Sequence, residues 1–171
     1  MQPITLGRMT VATPGTNVKL GRATLAANMS AVDTTFTISS AVGLPAKLFP
    51  CVGVIDNERI LLQSISGTTI TCRRIDPFAA AHLNGTALML DYKFAGLFCG
   101  GAAGNTGSIY VGTPDLVGST GVGVIKEIKS STGDFQQIGP LDYDGNTLNL
   151  TDYALDAANA NEGPYVTLWV R

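Results

Sequence analysis

The chain has 171 residues, 45% of them apolar and only 14% charged, with 11 basic residues against 13 acidic ones for a net charge of −2. That length holds one domain of ordinary size, or two small ones that lean on each other or on partners. The charge content is well below the ~25% usual in soluble domains. Basic residues run from Arg8 to Arg171 with no cluster beyond Arg73-Arg74, which speaks against a phosphate-binding face and direct nucleic-acid binding.

Residues 1–8 (MQPITLGR) carry Pro3 and Gly7 and too little periodicity for a firm element, so they predict an extended arm. Ile4 and Leu6 alternate around Thr5, a pattern that can add a strand to a partner's sheet edge. In MTVATPGTNVKLG, the Pro14-Gly15 turn signal between Val11 and Val18 predicts an edge hairpin. TTFTISS, with Phe36 and Ile38 on one face, reads as a half-buried strand. VGVID, a turn at Asp56-Asn57, ERILLQSIS, a turn at Ser66-Gly67 and TITCRRI predict three successive strands. The loop IDPFAAAHLNG then closes into TALML. KFAGLFCGG predicts a buried strand, and GNTGSIYVG a turn and a strand with Ile109 and Val111 inward and Tyr110 outward. GVGVIKEIK admits strand or short helix, and its β-branched Val122, Val124 and Ile125 favour strand. Residues 142–161, rich in Asp and Asn, read as loop. YVTLWVR reads as a closing strand with Val166, Leu168 and Val170 inward and Tyr165, Thr167 and Trp169 outward. Short strands at roughly ten-residue spacing predict an all-β fold of small antiparallel sandwiches or barrels.

Residue types that could carry chemistry are few. Cys51, Cys72 and Cys99 show no C-x-x-C spacing and sit in apolar or strand-like runs, which predicts buried thiols. The single histidine, His82, has no second His or Cys near it in sequence and is expected to be structural. GGAAGNTGS resembles a phosphate loop only in its glycines, since no Lys-Ser/Thr follows them. Asp142 and Asp144 lack the spacing of a calcium loop, and Asp56 with Glu58 looks like a hairpin corner rather than a glycosidase pair. These readings predict no catalytic residue, no cofactor and no metal. Met1–Thr10 lacks the pattern of a secretory signal and no run approaches ~20 apolar residues, so synthesis in the cytosol and no membrane contact are expected.

Two stretches carry a family likeness. Residues 22–90, through TTFT, Ile55-Asp56 with Glu58, Gly67–Thr71 with Arg73 or Arg74, and His82 with Gly85, resemble a small β module of tailed-bacteriophage structural proteins. TVATPGTNVKL, GNTGSIYVG and NLTDYALDAANANEGPYVTLWV are similar to successive parts of another phage virion β-domain. The second likeness is interrupted by the first. It implies a host domain of 1–22 and 92–171, with 1–8 as its arm, and a domain of 23–91 inserted in one of its loops. The resemblance further implies a non-enzymatic decoration (cement) protein on the capsid exterior, assembled in the host cytoplasm. Its partners would be the major capsid protein and itself, as a homotrimer. Ile4, Thr5 and Leu6 are then the expected capsid contacts, and Tyr110, Tyr165 and Trp169 the expected interface residues. A tail or fibre component binding host glycans and a small cell-wall hydrolase are the competing classes.

Overall fold

A computed structural model describes residues 2–129, 134–139 and 148–170. Its strands are β1 (Gln2–Arg8), β2 (Val18–Lys19), β3 (Arg22–Thr24), β4 (Thr35–Thr37), β5 (Cys51–Ile55), β6 (Glu58–Ser66), β7 (Thr69–Arg74), β8 (Ala87–Leu90), β9 (Lys93–Phe94), β10 (Gly96–Gly100), β11 (Ile109–Val117), β12 (Val122–Ile128), β13 (Phe135–Ile138), β14 (Leu148–Asn149), β15 (Ala154–Ala157) and β16 (Tyr165–Val170). The fold is all-β, as the spacing of strand and turn signals predicts, with short 3₁₀ turns at Ala46–Leu48 and Leu150–Asp152.

The chain divides into two compact units, 21–92 and 1–20 with 93–171. The divisions fall at Leu20/Gly21 and Tyr92/Lys93 rather than at 22/23 and 91/92. Arg22 is already paired with Met89, and the Gly21 carbonyl accepts the Leu90 N–H.

In the 21–92 unit six antiparallel strands form one sheet in the order β3-β8-β5-β6-β7-β4. It curls until its edge strands meet. Leu25 bridges Ile38, the Ala26 N–H donates to the Thr37 carbonyl and the Ser39 N–H to the Thr24 carbonyl. Two-residue alternation fills the interior with Ile55, Ile60, Leu62, Ile70, Cys72, Leu88 and Leu90. Gly53 faces inward among them, where a Cβ would meet the Leu62 and Leu88 methyls at 2.7 and 2.8 Å.

The other unit has two four-stranded antiparallel sheets, β1-β16-β10-β13 and β12-β11-β15-β2, with β9 and β14 as a separate pair. Leu97, Cys99, Val166 and Leu168 from the first, and Ile109, Val111, Leu155 and Ala157 from the second, are fully buried. Phe94 and Tyr153 meet edge to face with ring centroids 5.8 Å apart.

Three expectations are corrected in this unit. Residues 2–8 are the edge strand β1, paired along its length with β16 through a bulge at Leu6, and so are no free arm. β16 offers them an open edge, and backbone groups at an apolar strand gain more from pairing than from solvent. The hairpin expected around Pro14-Gly15 does not form. The turn exists, with the Thr16 N–H on the Thr13 carbonyl, but Val11 bridges Glu162 while β2 pairs with β15. The loop expected over 142–161 holds a strand, β15, buried at all four positions between β11 and β2. Its polar residue Asp156 is satisfied internally, so polarity in the sequence did not mean exposure.

Candidate functional site

Glu58 stands first in the inward series of β6, so the two-residue period that buries Ile60 and Leu62 also carries its carboxylate inward. A buried carboxylate requires donors, and three converge on Oε2: Arg74 Nη1 at 2.6 Å, the Ala80 N–H at 3.0 Å and His82 Nε2 at 2.9 Å. The other His82 ring nitrogen, Nδ1, lies 2.8 Å from Asp56 Oδ2. Asp56 is placed by the β5–β6 turn, where its φ of 51° is in the left-handed region that Asp and Asn tolerate. Backbone pairing of His82 with Met29, and the Arg74 Nη2 bond to the Ser30 carbonyl, tie the loop after β7 to the chain before β4.

His82 and the two carboxylates the sequence offered as a remote catalytic pair are therefore brought together, with Arg74 between chain segments. Glu58 and His82 are buried, and Glu58 Oε2 holds all three donors while Oε1, also buried, has no hydrogen-bond partner. Burial works against the Glu58 charge, but bonds from Ala80, Arg74 and His82 outweigh it and hold the carboxyl below the usual glutamate range. The sequence signal for this cluster was the E-x-I-x-L alternation of β6, which puts a carboxylate on the core face.

Two further carboxylates act as nodes in the other unit. Asp156 accepts the Gly15 N–H at 3.0 Å through Oδ1 and the Gly118 N–H at 2.8 Å through Oδ2, joining the TPGT turn to the end of β11. Glu162 accepts the Thr106 N–H at 2.6 Å, the Thr106 hydroxyl at 2.8 Å and the Gly107 N–H at 2.9 Å. The glycine-rich GNTG segment thus does bind an anion through its backbone, and that anion is the chain's own Glu162. Burial again opposes the charge, while the bonds from Thr106 and Gly107 hold Glu162 below its ordinary range. Asn105 closes the node, its amide donating to the Gly163 carbonyl at 3.1 Å and its carbonyl accepting from Arg8 at 3.0 Å.

All three cysteines are free and buried. Burial raises the Cys51 and Cys99 thiols to about 12 and the Cys72 thiol above its usual value. Among the described residues no cluster of His, Cys, Asp or Glu is arranged to hold a metal ion, and no helix is long and apolar enough to cross a membrane. Asp142 and Asp144 lie outside the described residues.

Of the expected capsid contacts, Thr5 is exposed, Ile4 half-buried and Leu6 buried in the β1 bulge. Tyr110 lies on β11, and Tyr165 and Trp169 lie on β16 in the other sheet. Tyr110 is half-buried on β11 against Gly118, where a Cβ would lie 2.1 Å from the ring. Tyr165 is 52% exposed on β16, and Trp169, on the same face, packs near Phe98 with centroids 6.0 Å apart. The sequence reading missed Phe135, 62% exposed on the short strand β13, which carries only the weak alternation of F-Q-Q-I.

Compared with known protein families, with curated proteins and with solved structures, the chain has no significant match.

Proposed function

We propose that this chain is a structural protein of a tailed-phage particle, a decoration protein that binds the outer capsid surface. The observation that supports the reading is the convergence of the residues that carry the two family likenesses. Asp56, Glu58, Arg74 and His82, spaced over the first stretch, form one cluster. The TPGT turn, the GNTG turn and the Asp156 to Gly163 segment of the second meet at Asp156 and Glu162. Spaced polar positions that are one another's partners preserve a fold, and a likeness built on them is a likeness of scaffold.

Attachment then runs through the outer backbone edge of β1, the open side of its sheet, rather than through a reaching arm. Self-association as a trimer fits a surface of low charge. The test is co-sedimentation of the purified chain with capsid shells that lack it, alongside light scattering of the free chain. Saturable binding at a fixed ratio to the capsid subunit supports the reading. Absence of binding at micromolar concentration overturns it.

A further inference from the structure

The outer face of the β1-β16-β10-β13 sheet carries a row in which Tyr165 on β16 and Phe135 on β13 flank Gly100 on β10. Gly100 is the direct cross-strand partner of both. Directly paired residues share a face, and the buried neighbours Cys99 and Val166 fix that face as the outer one. The two rings are therefore exposed walls, and the glycine between them is a floor without a side chain.

Two strand spacings of ~4.8 Å put the walls roughly 10 Å apart at the backbone. A flat group held between two rings at van der Waals contact needs about 7 Å, twice ~3.5 Å. The slot thus admits one ring-shaped group with little rearrangement. The next row on the same face is Thr167, Phe98 and Gln137, so a hydroxyl and an amide able to donate and accept flank the half-buried Phe98 ring. Arg8, beside Tyr165, is the charged residue of these two rows, and its guanidinium is bound to Asn105.

From this geometry we infer a binding site for a neutral pyranose of a glycan chain, sandwiched by Tyr165 and Phe135 over Gly100 and hydrogen-bonded by Thr167 and Gln137. Aromatic walls present their faces to the C–H groups of a sugar ring, and uncharged donors and acceptors suit its hydroxyls. The site rests on one sheet of one unit, so it stands whether or not the chain binds a capsid.

Gly100 supplies the decisive variant. Its backbone is outside the left-handed region, and an added Cβ would meet only Phe135 Cβ at 3.8 Å, an ordinary contact. Gly100→Val is expected to fold normally while filling the slot. Titration calorimetry with chitohexaose, cellohexaose and maltohexaose, and the emission of Trp169, the single tryptophan, on the same sheet face, read the binding. Binding of at least one of the three, weakened about tenfold or more by Tyr165→Ala, Phe135→Ala and Gly100→Val, supports the site. No binding of any of them overturns it, as does binding that Tyr165→Ala and Phe135→Ala leave unchanged. Concentration-dependent dimerisation that Phe135→Ala abolishes, with no sugar bound, also overturns it and assigns the face to a second copy of the chain.

Discussion

In the 21–92 unit the strands β5, β6 and β7 follow one another and pair in that order, each joined to the next by a turn of two or so residues. In the other unit β1 pairs with β16, Val11 with Glu162 and β2 with β15, across more than 130 residues each. The first set is written in local turn chemistry: Asp56-Asn57 and Ser66-Gly67 reverse the chain whatever lies elsewhere. The second depends on which open edge a distant segment finds, and no local pattern specifies that. Both units nevertheless use one device, a buried carboxylate that accepts hydrogen bonds from distant parts of the chain, Arg74, Ala80 and His82 at Glu58 and Gly15 and Gly118 at Asp156.

The comparison can be broken most sharply at two glycines. In the long-range unit a Cβ on Gly163 would lie 1.7 Å from the Met9 carbonyl oxygen, so the backbone itself must move. Gly163→Ala is expected to cost about 3 kcal/mol or more and to release the β1 end, read by urea unfolding and hydrogen exchange. Gly53→Ala in the 21–92 unit meets side-chain rather than backbone atoms, the Leu62 and Leu88 methyls and Leu62 Cγ. Those side chains can repack, and the expected cost is ~1–3 kcal/mol. Equal costs at the two sites would remove the distinction between backbone and side-chain closure.

These outcomes bear on what could be read from the residues alone. Alternation identified the strands around Phe36, Ile60, Ile70, Val111 and Leu168, because a half-buried strand exposes its period directly. β15 escaped because a strand covered on both faces has no alternation, and its Asp156 mimics a loop residue. β1 escaped because an edge strand of QPITLGR contains Pro and Gly and earns its place only through β16. For the Asp56–Glu58–Arg74–His82 cluster the members were each visible, while their meeting depended on the return of the loop after β7. The aromatic slot was half legible: Tyr165 and Trp169 showed outward, but Phe135 and the glycine floor are products of cross-strand register.

The shared carboxylate device sharpens into a pH dependence. Glu58 and Glu162 are both held below the ordinary glutamate range in the folded chain, so on acidification the unfolded chain takes up protons first. Each therefore contributes stability that is fully present above the unfolded value of ~4.3 and is lost as pH falls through the lowered folded value. Glu58→Gln should flatten that acid limb for the 21–92 unit and Glu162→Gln for the other, measured as midpoint against pH from neutral downward. An unchanged limb in either variant would show that its carboxylate is not the node. The smallest effect is expected at the exposed rings. Tyr165→Ala and Phe135→Ala should change unfolding free energy by no more than ~0.5 kcal/mol, since neither side chain is buried.

The central claim is that two compact units, each closed by its own polar nodes, are carried on one chain. The ends of 21–92 lie on adjacent strands, with the Gly21 carbonyl 2.8 Å from the Leu90 amide, so the segment can be excised without stretching it. The most direct measurement is thermal and urea unfolding of the isolated 21–92 fragment, followed by circular dichroism and amide dispersion in NMR. The expected result is a β-type spectrum with a single cooperative transition that His82→Ala shifts to lower denaturant. A fragment without dispersed amide signals, or one whose transition His82→Ala leaves in place, would contradict the claim.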